Sequence, residues 1–193
     1  MRESPKEPRV PARIKKELRE WAMALAIAVV AALIIRTFLY TVISVDGPSM
    51  QDTLYTGDRL IVTIADMKLT GPQRFDVVIC HFPRSEWTKQ YVKRVIGLPG
   101  ETIEVRDGVT LINGQPIDEP FLSPDKVTRY KRANFGPVEI PEGNYFVMGD
   151  HRDDSNDSRS VGTITTNEMI GIARVRMWPP DRLGLVAGSG TYQ

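Results

Sequence analysis

The fold this sequence predicts is a mostly β, partly closed antiparallel, barrel-like domain behind one N-terminal transmembrane helix. Three observations carry it. Trp21 to Ile35 holds no polar side chain except the Trp21 indole, which suits a helix in lipid. From residue 45 onward, short runs rich in Val, Ile, Phe and Tyr follow one another. Turn residues rather than helical patterns separate those runs, which argues against alternating βα units.

The elements follow in order. Residues 1–20 hold seven Lys/Arg against four Glu, with Pro5, Pro8 and Pro11 among them. They read as a basic tail, helical from Arg13 onward. Residues 21–41 supply the roughly 20 positions a spanning helix needs. Arg36 lies near the far end, where it can snorkel, and Trp21 and Tyr40 stand where an aromatic belt would. The run is followed by Arg36-Thr37-Phe38-Leu39-Tyr40, not by a small-x-small site, so it reads as an uncleaved anchor rather than a signal peptide. The positive-inside rule then places residues 1–20 in the cytoplasm and the domain 42–183 outside. A plasma membrane and a thylakoid membrane suit this pattern equally.

Strands are predicted at Arg59–Ile64, Arg74–Phe82, Gln90–Leu98, Thr102–Arg106, Val109–Ile112, Asn144–Met148 and Met169–Trp178. Thr-Gly-Asp at 56–58, Pro-Gly at 99–100, Asp-Gly at 107–108, Asn-Gly at 113–114 and Pro-Glu-Gly at 141–143 break them. Residues 184–193, with three glycines, read as a flexible tail.

Composition narrows the function. A chain of 193 residues allows one ordinary domain plus an anchor. A net charge of +1 gives no reason to expect a nucleic-acid partner. The single cysteine, Cys80, forms no internal disulfide. It sits in the apolar run Val77-Val78-Ile79-Cys80, where a buried thiol is inert. His81 and His151 are 70 residues apart and belong to no cluster with metal-ligand spacing. The sequence implies no metal or organic cofactor, and it leaves the oligomeric state open.

Three segments can carry chemistry. Gly47-Pro48-Ser49-Met50 forms a tight turn that presents Ser49, yet a serine nucleophile needs a base within reach. His81 and His151 are candidates for that base. Lys93 is another: strand alternation puts Tyr91, Lys93 and Val95 on one face. A lysine between apolar neighbours loses solvation, which lowers its pKa toward that of a general base. The third segment, Gly149 to Arg159, crowds Asp150, His151, Arg152, Asp157 and Arg159 with Ser155 into one loop after a hydrophobic strand. It lacks the spacing of a calcium-binding EF-hand.

Taken together, the segments resemble the type I signal peptidases, the Ser–Lys leader peptidases. Four strings carry the resemblance, in family order: Gly47-Pro48-Ser49-Met50-Gln51-Asp52-Thr53-Leu54; Gly57-Asp58; Tyr91-Val92-Lys93-Arg94-Val95-Ile96-Gly97-Leu98-Pro99-Gly100-Glu101; and Gly149 to Arg159. The likeness extends from the anchor to about residue 180, and the single span is closest to the shorter members. It implies that Ser49 is the nucleophile and Lys93 the general base. Ser155 would orient the lysine amine. Asp157 and Arg159 would hold the loops, with Arg94 and Asp150 in the same network. Val45, Met50, Leu54, Tyr91 and Val92 would line shallow pockets for small-x-small signal peptides of exported preproteins, next to the lipid bilayer.

Three positions depart from the family pattern. Gly47 lacks the serine hydroxyl that often assists the oxyanion. Asp52 replaces a usual proline, and His151 a usual asparagine. Other readings are separable. A self-cleaving repressor protease would carry a DNA-binding domain where this chain has its apolar run. A silent anchored binding domain would lack Ser49 or Lys93. A peptidase dedicated to one pilin or conjugation substrate would differ in breadth of substrates.

Overall fold

The computed structural model describes residues 12–83, 85–86, 88–123 and 134–188, except for the side chains of 12 and 34–38. These residues fall into two units, one ending at Leu39 and one beginning at Tyr40.

The first unit is helix α1, Ala12–Phe38. Its Ala, Leu, Lys and Glu content favours helix, and Arg13–Glu17 and Lys16–Glu20 pair one turn apart. No break separates the basic stretch from the apolar one. Trp21, Leu25 and Ile27 are exposed. Among the described residues no helix is long and apolar enough to cross a membrane. The predicted span also ends sooner than expected. Tyr40 and Thr41 belong not to the helix but to strand β1, Tyr40–Ser44. The β-branched run Thr41-Val42-Ile43 lines up residue for residue with the next strand, and this pairing overrides its apolar character.

The second unit is built from antiparallel ladders. Its remaining strands are β2 Arg59–Thr63, β3 Val77–Cys80, β4 Tyr91–Gly97, β5 Thr102–Arg106, β6 Val109–Ile112, β7 Gln115–Pro116, β8 Phe135–Glu139, β9 Asn144–Met148, β10 Ile164–Thr165, β11 Met169–Trp178 and β12 Gly184–Leu185. The larger sheet runs β1-β2-β11-β3-β4-β9-β10, with β12 on β11. The smaller sheet runs β7-β6-β5-β8. Neither order returns to its first strand, so the sheets curl without closing. Helix α2, Ile64–Thr70, follows β2, and the short α3, Ser158–Val161, follows the polar loop.

All seven predicted strands are present, and β5, β6, β9 and β11 have the predicted limits. Asp107-Gly108 and Asn113-Gly114 both have positive φ at each residue, the two-residue geometry that matches hairpin twist. Residues 184–188, predicted as the start of a flexible tail, are held against the sheet, and the rest of that predicted tail lies outside the described residues. Leu185 pairs with Val175, Val186 is buried against Val62 and its neighbours, and the Ala187 carbonyl accepts from Arg94.

Strand β4 is the centre of the site. One-sided alternation predicts a single apolar face, but six of its seven residues are buried. Val95 packs with Val78, Val147 and Ile172 on one side. Ile96 packs with Ile103, Ile140 and Phe146 on the other. The smaller sheet covers the second face, so both faces are interior. Each such side chain contributes about 1.5–3 kcal/mol on burial, and this rigid strand carries Lys93 and Arg94.

Candidate active site

Ser49 is held by its neighbours. Gly47 has φ +95, a conformation that side chains disfavour. The Gln51 N–H closes the turn onto the Pro48 carbonyl at 2.9 Å, and the Leu54 N–H closes the next onto Met50 at 2.8 Å. Met50 and Leu54 are buried and anchor that turn in the core. The Ser49 carbonyl accepts from the His151 N–H at 3.0 Å.

Lys93 reaches the same point from β4. Its Nζ is hydrogen-bonded to Ser49 Oγ at 2.6 Å and donates to the Val92 carbonyl at 3.1 Å. Lys93 is 2% exposed. Burial pushes its pKa below the ordinary 10.5; the Asp157 and Asp150 charges oppose that effect, and Arg159 adds to it. The Tyr91 ring lies 5.9 Å from Nζ and stacks on Phe82. Cys80, on the adjacent strand, is fully buried, and burial raises its thiol to about 12. It is therefore a neutral neighbour and not a thiolate nucleophile.

The polar loop forms the floor. Arg94 grips Asp150 with two bonds, Nε to Oδ1 at 2.9 Å and Nη2 to Oδ2 at 2.7 Å, with both side chains buried. Thr53 Oγ1 donates to Asp150 Oδ2 at 2.5 Å. Asp157 caps α3, accepts two bonds from the Arg159 guanidinium at 2.8 and 2.7 Å, and accepts from the Gly149 N–H at 3.0 Å. Burial raises the Asp157 pKa, but the Arg159 bonds and charge, Gly149 and Ser155 outweigh it and hold it below 3.8.

Ser155 stands in the same loop, between Asp150 and Asp157. Its Oγ is shielded from solvent and bonds neither Lys93 nor any other described residue with full hydrogen-bond geometry. It stands beside Asp157, whose charge it stabilises, and beside Gly149 and the Ser49 carbonyl. His151 Nε2 lies 3.5 Å from Asp153 Oδ1, and its Nδ1 is buried with no partner among the described residues. His81 is placed elsewhere, with its Nδ1 3.0 Å from the Lys89 carbonyl. Neither histidine makes a hydrogen bond to Ser49 Oγ.

A groove of about 290 Å³ opens beside the pair, lined by Val45, Asp46, Ser49, Met50, Thr88, Lys89, Gln90, Tyr91, Val92 and Lys93. Four of the five predicted pocket residues line it. Leu54 does not, because it is packed in the core beneath Met50. Sequence reasoning gave Thr53 and Arg152 no role of their own and missed Glu119 and Phe121, all of which join the floor of the site. Their signal is tertiary: Glu119 and Phe121 lie in the connection between β7 and β8, with no motif of their own.

The chain matches the family model "Signal peptidase, peptidase S26" over residues 18–178. It is 39% identical over 176 residues to "Signal peptidase I S" of Bacillus subtilis (strain 168), covering 86% of this chain and 91% of that one. It is 42% identical over 171 residues to "Signal peptidase I" of Bacillus licheniformis, with the same coverages of 86% and 91%. A crystal structure of a signal peptidase I from Enterococcus faecalis V583 is 37% identical, with TM-score 0.45, over 52% of this chain and 95% of that one. The chain belongs to the signal peptidase family, peptidase S26, and is a type I signal peptidase.

Proposed function

We propose that the chain cleaves N-terminal signal peptides from exported preproteins after small-x-small motifs, with Ser49 as nucleophile and Lys93 as general base. The observation that carries this reading is the 2.6 Å contact between Lys93 Nζ and Ser49 Oγ at a buried lysine. The neutral amine takes the Ser49 proton as Oγ attacks the scissile carbonyl. The Ser49 N–H makes no hydrogen bond among the described residues and is available to the developing oxyanion. Lys93 then gives its proton to the leaving amine and the acyl ester forms. Lys93 next takes a proton from water as its oxygen attacks the ester carbonyl, and returns that proton to Ser49 Oγ as the serine leaves.

Arg94, Asp150, Asp157, Arg159 and Ser155 support the loop, and Val45, Met50, Tyr91 and Val92 bound a groove that suits small side chains. The apolar stretch from Trp21 toward Arg36 anchors the protein as a single span, with the basic N-terminal tail in the cytoplasm and the β-rich unit outside. An anchor also raises the effective concentration of a membrane-embedded substrate.

The test uses the purified chain in detergent with a preprotein bearing an Ala-x-Ala site, and mass spectrometry of the products. Wild type and Cys80→Ala cut after the second alanine, while Ser49→Ala and Lys93→Ala, still folded, do not. Cutting by Ser49→Ala at the wild-type rate would overturn the assignment.

A further inference from the structure

We propose that Glu119 and Phe121, in the connection between β7 and β8 of the smaller sheet, are positioning residues for the Ser49–Lys93 pair. They hold the two buried guanidiniums, Arg94 and Arg152, that fix the loop 149–157 beneath it. The inference rests on the peptidase reading above and extends it to a part of the fold that touches neither reacting group.

Arg152 is 2% exposed, and a buried guanidinium must be paired. Glu119 supplies two carboxylate oxygens: Arg152 Nη1 donates to Oε2 at 2.8 Å and Nη2 donates to Oε1. Thr110 Oγ1, on β6, steadies the same carboxylate at 2.9 Å. So fastened, Arg152 turns its Nε onto the Gly149 carbonyl at 3.1 Å. The Gly149 N–H is already bonded to Asp157, so both polar groups of that peptide residue are fixed.

Phe121 acts on the other guanidinium. Its ring centre lies 4.1 Å from Arg94 Cζ and 5.8 Å from Arg152 Cζ, and the Phe75 ring packs against it at 5.3 Å. The ring face stabilises a desolvated cation and shields the Arg94–Asp150 pair from water. Arg94 spends its Nη1 on the Phe75 and Ala187 carbonyls, so the ring occupies a face that no donor serves. A turn, Leu122 N–H to Glu119 carbonyl at 3.0 Å, sets the spacing of the two residues.

The loop so held bears on the chemistry at two points. Its His151 N–H fixes the Ser49 carbonyl. Its Asp150 and Asp157 charges reach Lys93, which also faces Cys80 of β3, Arg159 of α3 and the Tyr91 ring of its own strand. Loosening the loop moves the nucleophile and changes both the solvation and the field at the amine, whereas a merely structural contact changes only stability.

The experiment compares full-length Glu119→Ala, Phe121→Ala and Phe121→Tyr with wild type, in detergent, below their measured melting temperatures. Expected for both alanine variants is a fall in kcat of about 100-fold, the cost of a misplaced reacting group, with KM little changed. Phe121→Tyr, which keeps the ring face, restores most of it. The Lys93 side-chain titration, followed by NMR of 13Cε-labelled lysine, has its midpoint displaced in the alanine variants and not in Phe121→Tyr. Should the alanine variants not fold, Glu119→Gln and Phe121→Leu, which keep the packed volume, are measured in their place. Folded variants with wild-type kcat and an unmoved Lys93 midpoint would overturn the proposal. If wild type cleaves no preprotein, the peptidase reading falls, while the Lys93 titration still decides whether Glu119 and Phe121 position the amine.

Discussion

Ser49 and His151 are joined through the main chain: the His151 N–H donates to the Ser49 carbonyl oxygen across 3.0 Å. That bond ties the turn that presents Ser49 to the loop that carries Asp150, Ser155 and Asp157. Arg94 ties that loop to β4, and so to Lys93. Ser49 and Lys93 are held by bonds made at the Ser49 carbonyl and at Arg94, the residue after Lys93.

Gly149 is the tightest point of this arrangement. A methyl group there would collide with Ser155 Oγ and with the Ser49 carbonyl. Gly149→Ala should lower stability by about 1–3 kcal/mol, the usual cost of overpacking, and should cost more in kcat than in KM. Thermal melting and steady-state cleavage measure the two effects. A fully active Gly149→Ala would mean that the contact is slack.

Breaking the Arg94–Asp150 pair from one side leaves a buried charge behind. Asp150→Ala should destabilise the domain by about 3–5 kcal/mol, as measured by urea denaturation. Arg94→Met with Asp150→Leu should recover much of that stability without recovering activity, since an apolar pair fills the volume but does not hold the loop. A double variant as active as wild type would contradict the positioning role.

Much of this was legible in the sequence. The hairpins at Asp107-Gly108 and Asn113-Gly114 and the strands β2 to β6, β9 and β11 follow from turn chemistry and strand pattern, whereas the pairing of Ser49 with Lys93 comes with the resemblance to the signal peptidases. What was not legible is where tertiary pairing overrode local character. Tyr40 and Thr41 read as the end of an apolar span, yet they pair with β2. Leu54 is given to the pocket by the resemblance alone, but the turn it closes directs it into the core. Strands β8, β10 and β12 are short, or held by Pro and Gly, and carry no alternation to detect. Glu119 and Phe121 reach the loop through the folding of the smaller sheet, which no spacing in the chain encodes.

Lys93 also makes stability depend on pH. Its folded pKa lies below the ordinary 10.5. Between the two values the unfolded chain binds a proton that the folded chain does not, so stability rises with pH through that window. Below the folded pKa the whole penalty of a buried ammonium is present. Lys93→Met should therefore be more stable than wild type near neutral pH, with the gap closing toward pH 10.5. Urea denaturation at stepped pH tests this, and a gap independent of pH would contradict it.

The Cys80 thiol, raised to about 12 and fully buried, should resist alkylation. Iodoacetamide at pH 8 should leave activity intact in the native enzyme and label Cys80 only after denaturation, as read by intact mass. Rapid labelling with loss of activity would mean that the thiol has access to the site.

The most direct test of the Ser49–Lys93 account is the pH dependence of kcat/KM for preprotein cleavage, measured on wild type from pH 6 to pH 10. The account predicts a rise through one ionisation with a midpoint clearly below the 10.5 of ordinary lysine, matching the directly titrated Lys93 amine, and loss of the activity in Lys93→Ala. A rate governed by a midpoint that Lys93→Ala leaves in place would show that another group is the base, and would contradict it.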